Sequence, residues 1–330
     1  MDYMSSDLHY RIPRSDLVPP GGADLHDRDM TATFAADVAL ARAQERLAEI
    51  DQWLPVDGDP DAPLGELVSH NSTGPLRLGY GAWRDLLLGV QFANGRGELV
   101  TAGGRTVKNV AGYDLTKFMV GQRGVFGRIV TITTRTYRRP AGAVLARHRP
   151  DCSILSKLLP TALRPQWAVL TSEDLLCGYL ADATTLDWYE ANVRASEPLS
   201  VFRRSLEVDV QHRASLWSIA KAGLGFRASV PPSNIHDFVN AARPQSWAAD
   251  AAFGIIVGTV ALSDSGQLLR TAARTCSGTV TLSGRPEGPH DRPPLPYFES
   301  TNPVERRIIE HLKASFDPDH KLSPLPWQAI

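Results

Sequence analysis

Apolar and polar residues alternate along this chain with two periods, and each predicts an element. Residues 29–34, Asp29-Met30-Thr31-Ala32-Thr33-Phe34, read as a strand. Residues 38–50 place Val38, Ala41, Leu47 and Ala48 at roughly helical spacing and predict a helix facing a core. An apolar run over 86–92 leads into Asn94-Gly95-Arg96-Gly97, and the chain is extended again over 98–101. That pattern predicts a hairpin in which Asn-Gly supplies the positive φ of the turn. Over 114–120, Leu115, Phe118 and Met119 fall at i, i+3 and i+4, with Gly121 placed as a C-terminal cap. Residues 128–137 set Ile129, Thr131 and Thr133 against Val130 and Ile132, a strand of β-branched residues. Near the end Asn302-Pro303 opens a helix whose Val304, Ile308, Ile309 and Leu312 are expected to face inward, and Pro318 stops it.

Composition narrows the class. A length of 330 residues, 43% hydrophobic and 22% charged, is that of an ordinary globular chain with two domains as the natural expectation. The formal net charge of −1 offers no electrostatic case for nucleic acid or a membrane surface. No apolar run approaches the roughly 18 residues of a membrane-crossing helix. The N-terminus has no apolar signal-peptide core, and Cys152, Cys177 and Cys276 form no CxxC pair. A cytoplasmic protein without disulfides or an iron–sulfur site is expected. No internal repeat is visible.

The near-neutral total hides a dipolar layout. Residues 1–60 hold five Arg and no Lys against twelve acidic residues, whereas 76–140 hold eleven Lys and Arg against Asp85, Glu98 and Asp114. Twelve of the 26 glycines fall between Gly74 and Gly127. A basic, glycine-rich stretch suits a phosphate-bearing ligand, because bare backbone N–H groups can approach the anion. After Pro140 the glycine clusters cease, and the five prolines of 285–296 mark a second irregular boundary.

The chemistry-bearing segment is Asn71-Ser72-Thr73-Gly74-Pro75, then Tyr80-Gly81-Ala82-Trp83-Arg84-Asp85, then Val107-Lys108-Asn109-Val110-Ala111-Gly112-Tyr113-Asp114, then Gly121-Gln122-Arg123-Gly124-Val125-Phe126-Gly127. It contains no HExxH metal site, nucleophile elbow or general acid–base pair, and no GxGxxG opens a helix after a strand, which disfavours a nicotinamide Rossmann enzyme. A site that holds a large cofactor and leaves the hard chemistry to it is the physical reading. Bland readings stand beside it. Lys108 and Arg84 suit solvated surface charges, Arg84 with Asp85 suits an internal ion pair, and His70 suits a surface turn. The tryptophans read as core or loop anchors and the thiols as small buried apolar groups.

Residues 64–139 resemble the second half of the FAD-binding domain of the vanillyl-alcohol-oxidase superfamily (PCMH type), and most of all the FAD-binding subunit of bacterial glycolate oxidase. The resemblance rests on the turn at Asn71, the Tyr80 to Asp85 motif with Ala82 for a Thr, the intact motif from Val107 to Asp114, and the Gly121 to Gly127 turn, where Gln122, Val125 and Phe126 depart from the pattern. Weaker landmarks are Asp29-Met30-Thr31, Trp53-Leu54-Pro55, the stretch from Phe226 to Pro232, and Phe316-Asp317-Pro318. It implies an α+β fold: an N-terminal extension (1–28), a truncated FAD-binding domain (29–140), an α+β cap domain (141–300), and a tail (301–330) returning to the FAD domain. It implies FAD as cofactor, with Asn71, Ser72 and Gly74 against the flavin or pyrophosphate, and Gly124, Gly127 and the backbone of Ile129 near the nucleotide. Gly81, Arg84, Lys108, Asn109, Tyr113 and Gly121 complete the cofactor-binding set; no catalytic residue and no metal ligand is assigned.

The implied activity is FAD-linked oxidation of a 2-hydroxy acid within a complex that also holds a related flavoprotein subunit and an iron–sulfur subunit. The alternative is a non-catalytic scaffold descended from a flavoprotein. Two departures bear on the choice. Only 28 residues precede Asp29, where the family carries a pyrophosphate-loop subdomain, and Glu66 stands in Pro63-Leu64-Gly65-Glu66 where the family has a glycine turn. A carboxylate there would repel a pyrophosphate. Three expectations stay open: FAD binding is weakened, a partner supplies the missing half, or the coding region starts further upstream.

Overall fold

A computed structural model describes residues 19–104, 114–217, 224–261, 266–283 and 302–325. Their described parts form two compact units, one from 1–73, 80–139 and 297–330, the other from 74–79 and 140–296.

In the first unit the strands are β1 (Ala23–His26), β2 (Thr31–Ala35), β3 (Gln52–Trp53), β4 (Leu87–Ala93), β5 (Leu99–Gly103), β6 (Arg128–Arg135) and β7 (Tyr137–Arg138). The intervening helices are α1 (Leu40–Ala48), α2 (Leu64–Ser69), α3 (Arg77–Tyr80), α4 (Trp83–Leu86) and α5 (Leu115–Phe118). An antiparallel sheet runs in the order β1-β2-β6-β4-β5, and β3 pairs with β7 apart from it. The central strand β6 is buried on both faces from Ile129 to Ile132, which suits its run of β-branched residues. The helix predicted over 38–50 is α1, but its buried stripe is Leu40, Ala43 and Leu47. The helix starts two residues later than expected, so Val38 lies outside it and Ala48 turns outward.

The hairpin β4–β5 forms with a correction to its turn. The positive φ (73°) belongs to Gly97, not to the Asn94-Gly95 pair. Asn94 serves by its side chain, accepting from the N–H groups of Arg96 and Glu98 (2.9 and 3.0 Å). The Pro63 to Glu66 stretch, expected as a turn, begins α2. Its Gly65 lies so close to the end of β2 that a Cβ would sit 2.7 Å from that of Ala36.

The second unit carries helices α6 (Cys152–Leu158), α7 (Ala183–Val193), α8 (Leu206–Trp217), α9 (Ile235–Ala242) and α10 (Gln267–Thr275). Its strands are β8 (Gly142–His148), β9 (Trp167–Leu170), β10 (Leu175–Ala181), β11 (Ser200–Arg204), β12 (Leu224–Ser229), β13 (Ser246–Asp250), β14 (Ile255–Val260) and β15 (Thr279–Ser283). They build one antiparallel sheet in the order β11-β8-β10-β9-β13-β14-β12-β15. This is a duplication the sequence pattern did not reveal. β8-α6-β9-β10-α7-β11 and β12-α9-β13-β14-α10-β15 are two βαββαβ halves with mirrored strand orders, linked by α8. They join at β9–β13, where Leu170 pairs with Ala249 and Val169 with Asp250, and the Ala251 N–H donates to Ala168 O just beyond (3.2 Å). One core of strand and helix residues, from Val144 and Leu155 to Ile256 and Leu269, runs through both halves.

The chain ends in α11 (Pro303–Phe316), capped by Asn302, whose Oδ1 accepts from the N–H of Val304 (2.9 Å). The inward face expected for it is corrected. Val304 and Ile308 are 63% and 55% exposed, while Lys313 and Asp317 are buried. Only the last turns dock, with Ile309, Leu312 and Phe316 against Val125, Phe126 and Leu325. Polar anchoring in the final turn sets the face, and that does not show in an apolar pattern.

Candidate functional site

The Asn71 turn is the C-terminal end of α2. Ser72 N–H donates to Leu67 O (2.8 Å) and Asn71 N–H to Val68 O (3.0 Å), the paired bonds of a Schellman cap. The cap needs one left-handed residue, and Asn71 takes that place with φ 51°. Asparagine tolerates this conformation better than most side chains. Its side-chain Oδ1 is buried and finds no hydrogen-bond partner. His70 is exposed, with its Nδ1 3.0 Å from the Glu66 carbonyl, and reads as part of the same cap.

The Gly121 to Gly127 turn is bonded to that helix end. Gly121 N–H donates to Val68 O (3.0 Å) and Arg123 N–H to Ser69 O (2.9 Å). Gly121, with φ 82°, lies against Asn71, whose Cβ would be 3.4 Å from a Cβ added there. Gln122, a departure from the family pattern, is the buried pin of the turn. Its Nε2 donates to Ser69 Oγ (3.2 Å) and Gly127 O (3.0 Å), and its Oε1 accepts from Phe126 N–H (3.0 Å). Gly127 is required by close approach, since a Cβ would stand 2.5 Å from the Phe92 ring. Val125 N–H is also bonded, to Gln122 O (3.0 Å), whereas the amides of Gln122 and Gly124 have no acceptor among the described residues.

The other expected site residues scatter. Gly81 (φ 87°) precedes α4, where the Ala82 N–H donates to Asp85 Oδ2 (2.8 Å). Asp85 is therefore engaged with backbone, and no ion pair with Arg84 forms. Arg84 is exposed and instead acts electrostatically on Asp114. Burial opposes the charge on Asp114, but hydrogen bonds from Lys117 and the nearby Lys117 and Arg84 charges hold its carboxyl below the ordinary range. Gly74 belongs to the stretch that clusters with the second unit. The Ile129 side chain is core, 2% exposed, in the strand paired with β4. Lys108, Asn109 and Tyr113 lie outside the described residues.

Among the described residues no three His, Cys, Asp or Glu side chains gather as a metal site would require. The thiols are not poised as nucleophiles: burial pushes Cys177 up to about 12, and raises Cys152 and Cys276 as well. Among the described residues, none of the three thiols is activated for attack. An unpartnered buried acceptor on Asn71, and amides of Gln122 and Gly124 with no acceptor among the described residues, are the groups these turns leave for a cofactor that carries hydrogen-bond donors and phosphates.

Comparison with known proteins agrees in class. Residues 21–103 match the family described as FAD binding domain, and FAD is the cofactor that goes with it. Beyond that domain the chain is similar to FAD-linked oxidoreductases. More particularly, it is 31% identical over 122 residues to glycolate oxidase subunit GlcE of Escherichia coli, covering 36% of this chain and 35% of that one. It is 31% identical over 122 residues to the mitochondrial D-lactate dehydrogenase [cytochrome] of Arabidopsis thaliana, covering 37% and 22%. A longer match, 23% identical over 363 residues, spans 91% of this chain and 79% of an uncharacterized FAD-linked oxidoreductase of Mycobacterium tuberculosis. The chain thus aligns with about a third or less of the first two relatives. In fold it is similar to alkyldihydroxyacetonephosphate synthase, with TM-score 0.63 and 14% identity over 89% of this chain and 64% of that one. The described residues contain no helix long and apolar enough to cross a membrane.

Proposed function

We propose that this chain is a cytoplasmic FAD-linked oxidoreductase subunit resembling the FAD-binding subunit of glycolate oxidase. Its substrate is a small 2-hydroxy acid, and it works in a complex with a related flavoprotein subunit and an iron–sulfur subunit. The observation that carries this reading is the junction of the Asn71 cap with the Gly121 to Gly127 turn, made by two backbone bonds beside an unpartnered, buried Asn71 Oδ1. FAD, when bound, supplies the hydride acceptor for oxidation at the hydroxyl-bearing carbon. This chain's own part is binding and orientation: Asn71 Oδ1 would accept from a donor on the cofactor, and the amides of Gln122 and Gly124 would donate to its phosphates. Gly121 keeps a side chain away from Asn71, and Ser72 follows Asn71 in the same cap.

A specific observation favours a second reading, the scaffold. The amides of Asn71, Ser72, Gly121, Arg123, Val125 and Phe126 already donate within the chain, which leaves few for an anion. Titration of the purified protein with FAD, followed by flavin fluorescence and visible absorbance, separates the two. Saturable uptake supports the first, and a colourless protein that takes up none overturns it. Asn71→Gly keeps the left-handed cap and removes only the side chain, so it is expected to weaken FAD while thermal stability stays within about 0.5 kcal/mol. Glu66→Gln is expected to tighten FAD if the carboxylate repels the pyrophosphate; unchanged affinity would dismiss that repulsion.

A further inference from the structure

The described C-terminal segment contains a buried ammonium that the oxidoreductase reading does not use. Lys313 is 3% exposed, and its Nζ donates to Val125 O (2.9 Å), Ser323 O (2.9 Å) and Asp317 Oδ2 (2.5 Å). A lysine has three N–H donors, and here each has its own acceptor. Asp317 is 0% exposed, with Oδ1 accepting from Lys321 N–H (2.8 Å) and Oδ2 from Leu322 N–H (3.0 Å).

Further contacts tie the same residues to the glycine turn. Ser323 N–H donates to Gly124 O (3.2 Å), and Ser323 Oγ lies over Gly124, 2.8 Å from where a Cβ would stand, at a φ of 78° that favours glycine. Leu325 is fully buried with Val125 and Phe126, and Phe316 meets Phe118 and Phe126 with ring centroids 5.7 and 6.1 Å apart. The turn is therefore held on one side by the end of α2 and on the other by residues 313–325. Apolar residues alone could fill such a space, and buried ion pairs are often replaceable without loss of stability. What the charge adds is direction, because it fixes the Val125 carbonyl one residue after the open Gly124 amide.

We infer that residues 313–325 are a clasp that presets the Gly121 to Gly127 turn for FAD, with Lys313 as its positioning residue. Ordering of this segment and FAD binding are then coupled. The inference rests on the reading that the turn meets FAD. Coupling is reciprocal, so FAD must protect the clasp as much as the clasp favours FAD.

The test uses the full chain, with hydrogen exchange at the amides of Lys321, Leu322 and Ser323 with and without FAD, and FAD affinity by fluorescence. In the wild-type protein FAD is expected to slow exchange at these amides about tenfold, within the usual range of coupling between sites. Lys313→Met is expected to weaken FAD by a similar factor and to abolish that protection. Where Lys313→Met loses its fold, Lys313→Met with Asp317→Leu removes the charges as a pair and keeps the volume filled, with the same expected loss. FAD uptake with unaltered exchange and unaltered affinity in both variants overturns the clasp and leaves the cofactor reading standing. A wild-type protein that takes up no FAD overturns both.

Discussion

At the scale of single residues, much of what resembles a cofactor motif has a structural task as well. Asn71 is the left-handed cap of α2 and Gln122 pins a turn, so both positions are constrained by the fold before any ligand arrives. Asp317 is both buried and held ionised. Burial works against its ionisation, yet hydrogen bonds from Lys313 and from the amides of Leu322 and Lys321 hold its carboxyl below the ordinary 3.8. A carboxyl depressed in the folded state contributes its stability in full above the unfolded value. That contribution is lost as pH falls from about 4 through the lower folded value. Acidification across pH 5 to 2 is therefore expected to loosen the C-terminal segment, read by hydrogen exchange or limited proteolysis, and Asp317→Asn to remove most of that pH dependence. Lys313 and Asp317 could have been suspected from their i, i+4 spacing, but spacing alone never distinguishes a buried pair from an exposed one.

Among elements, legibility followed how local the cause was. The hairpin β4–β5 was readable because Asn94, Gly95 and Gly97 act within five residues, although the reason for Gly95 was not. Its N–H donates to Phe316 O (2.8 Å), and a Cβ there would lie 2.1 Å from Asp317 Oδ1 and 2.7 Å from Asp317 Cα. A contact more than two hundred residues away in sequence leaves no local trace. Gly95→Ala is accordingly expected to cost about 2 kcal/mol in a denaturation experiment, because a backbone atom must give way. Gly104→Ala, where an added methyl meets nothing within 4 Å, is expected to shift stability by less than about 0.5 kcal/mol. The face of α11 misled for the opposite reason: Val304 and Ile308 follow a helical apolar pattern yet lie exposed, and a lysine anchors the helix instead.

For the molecule as a whole, the α+β class and the FAD domain were legible from glycine-rich motifs, while the duplicated second unit was not. Two βαββαβ halves can share a plan of strands and helices without sharing residues, since any buried apolar side chain satisfies each core position. If FAD binds the folded chain alone, free cofactor at a hundred times its dissociation constant is expected to add about 2.7 kcal/mol to the unfolding free energy of the first unit. Thermal denaturation with and without FAD checks this, and an unshifted transition in the presence of saturating FAD would contradict it. The second unit has a different vulnerability. Its eight strands meet across the middle at their shortest pairing, Leu170 with Ala249 and Val169 with Asp250, continued by the Ala251 N–H bond to Ala168 O. Hydrogen bonding along the sheet is thinnest there, and one apolar layer runs beneath both halves. A panel built this way frays first along its seam, so small flexing of one half against the other is the cheapest distortion open to it.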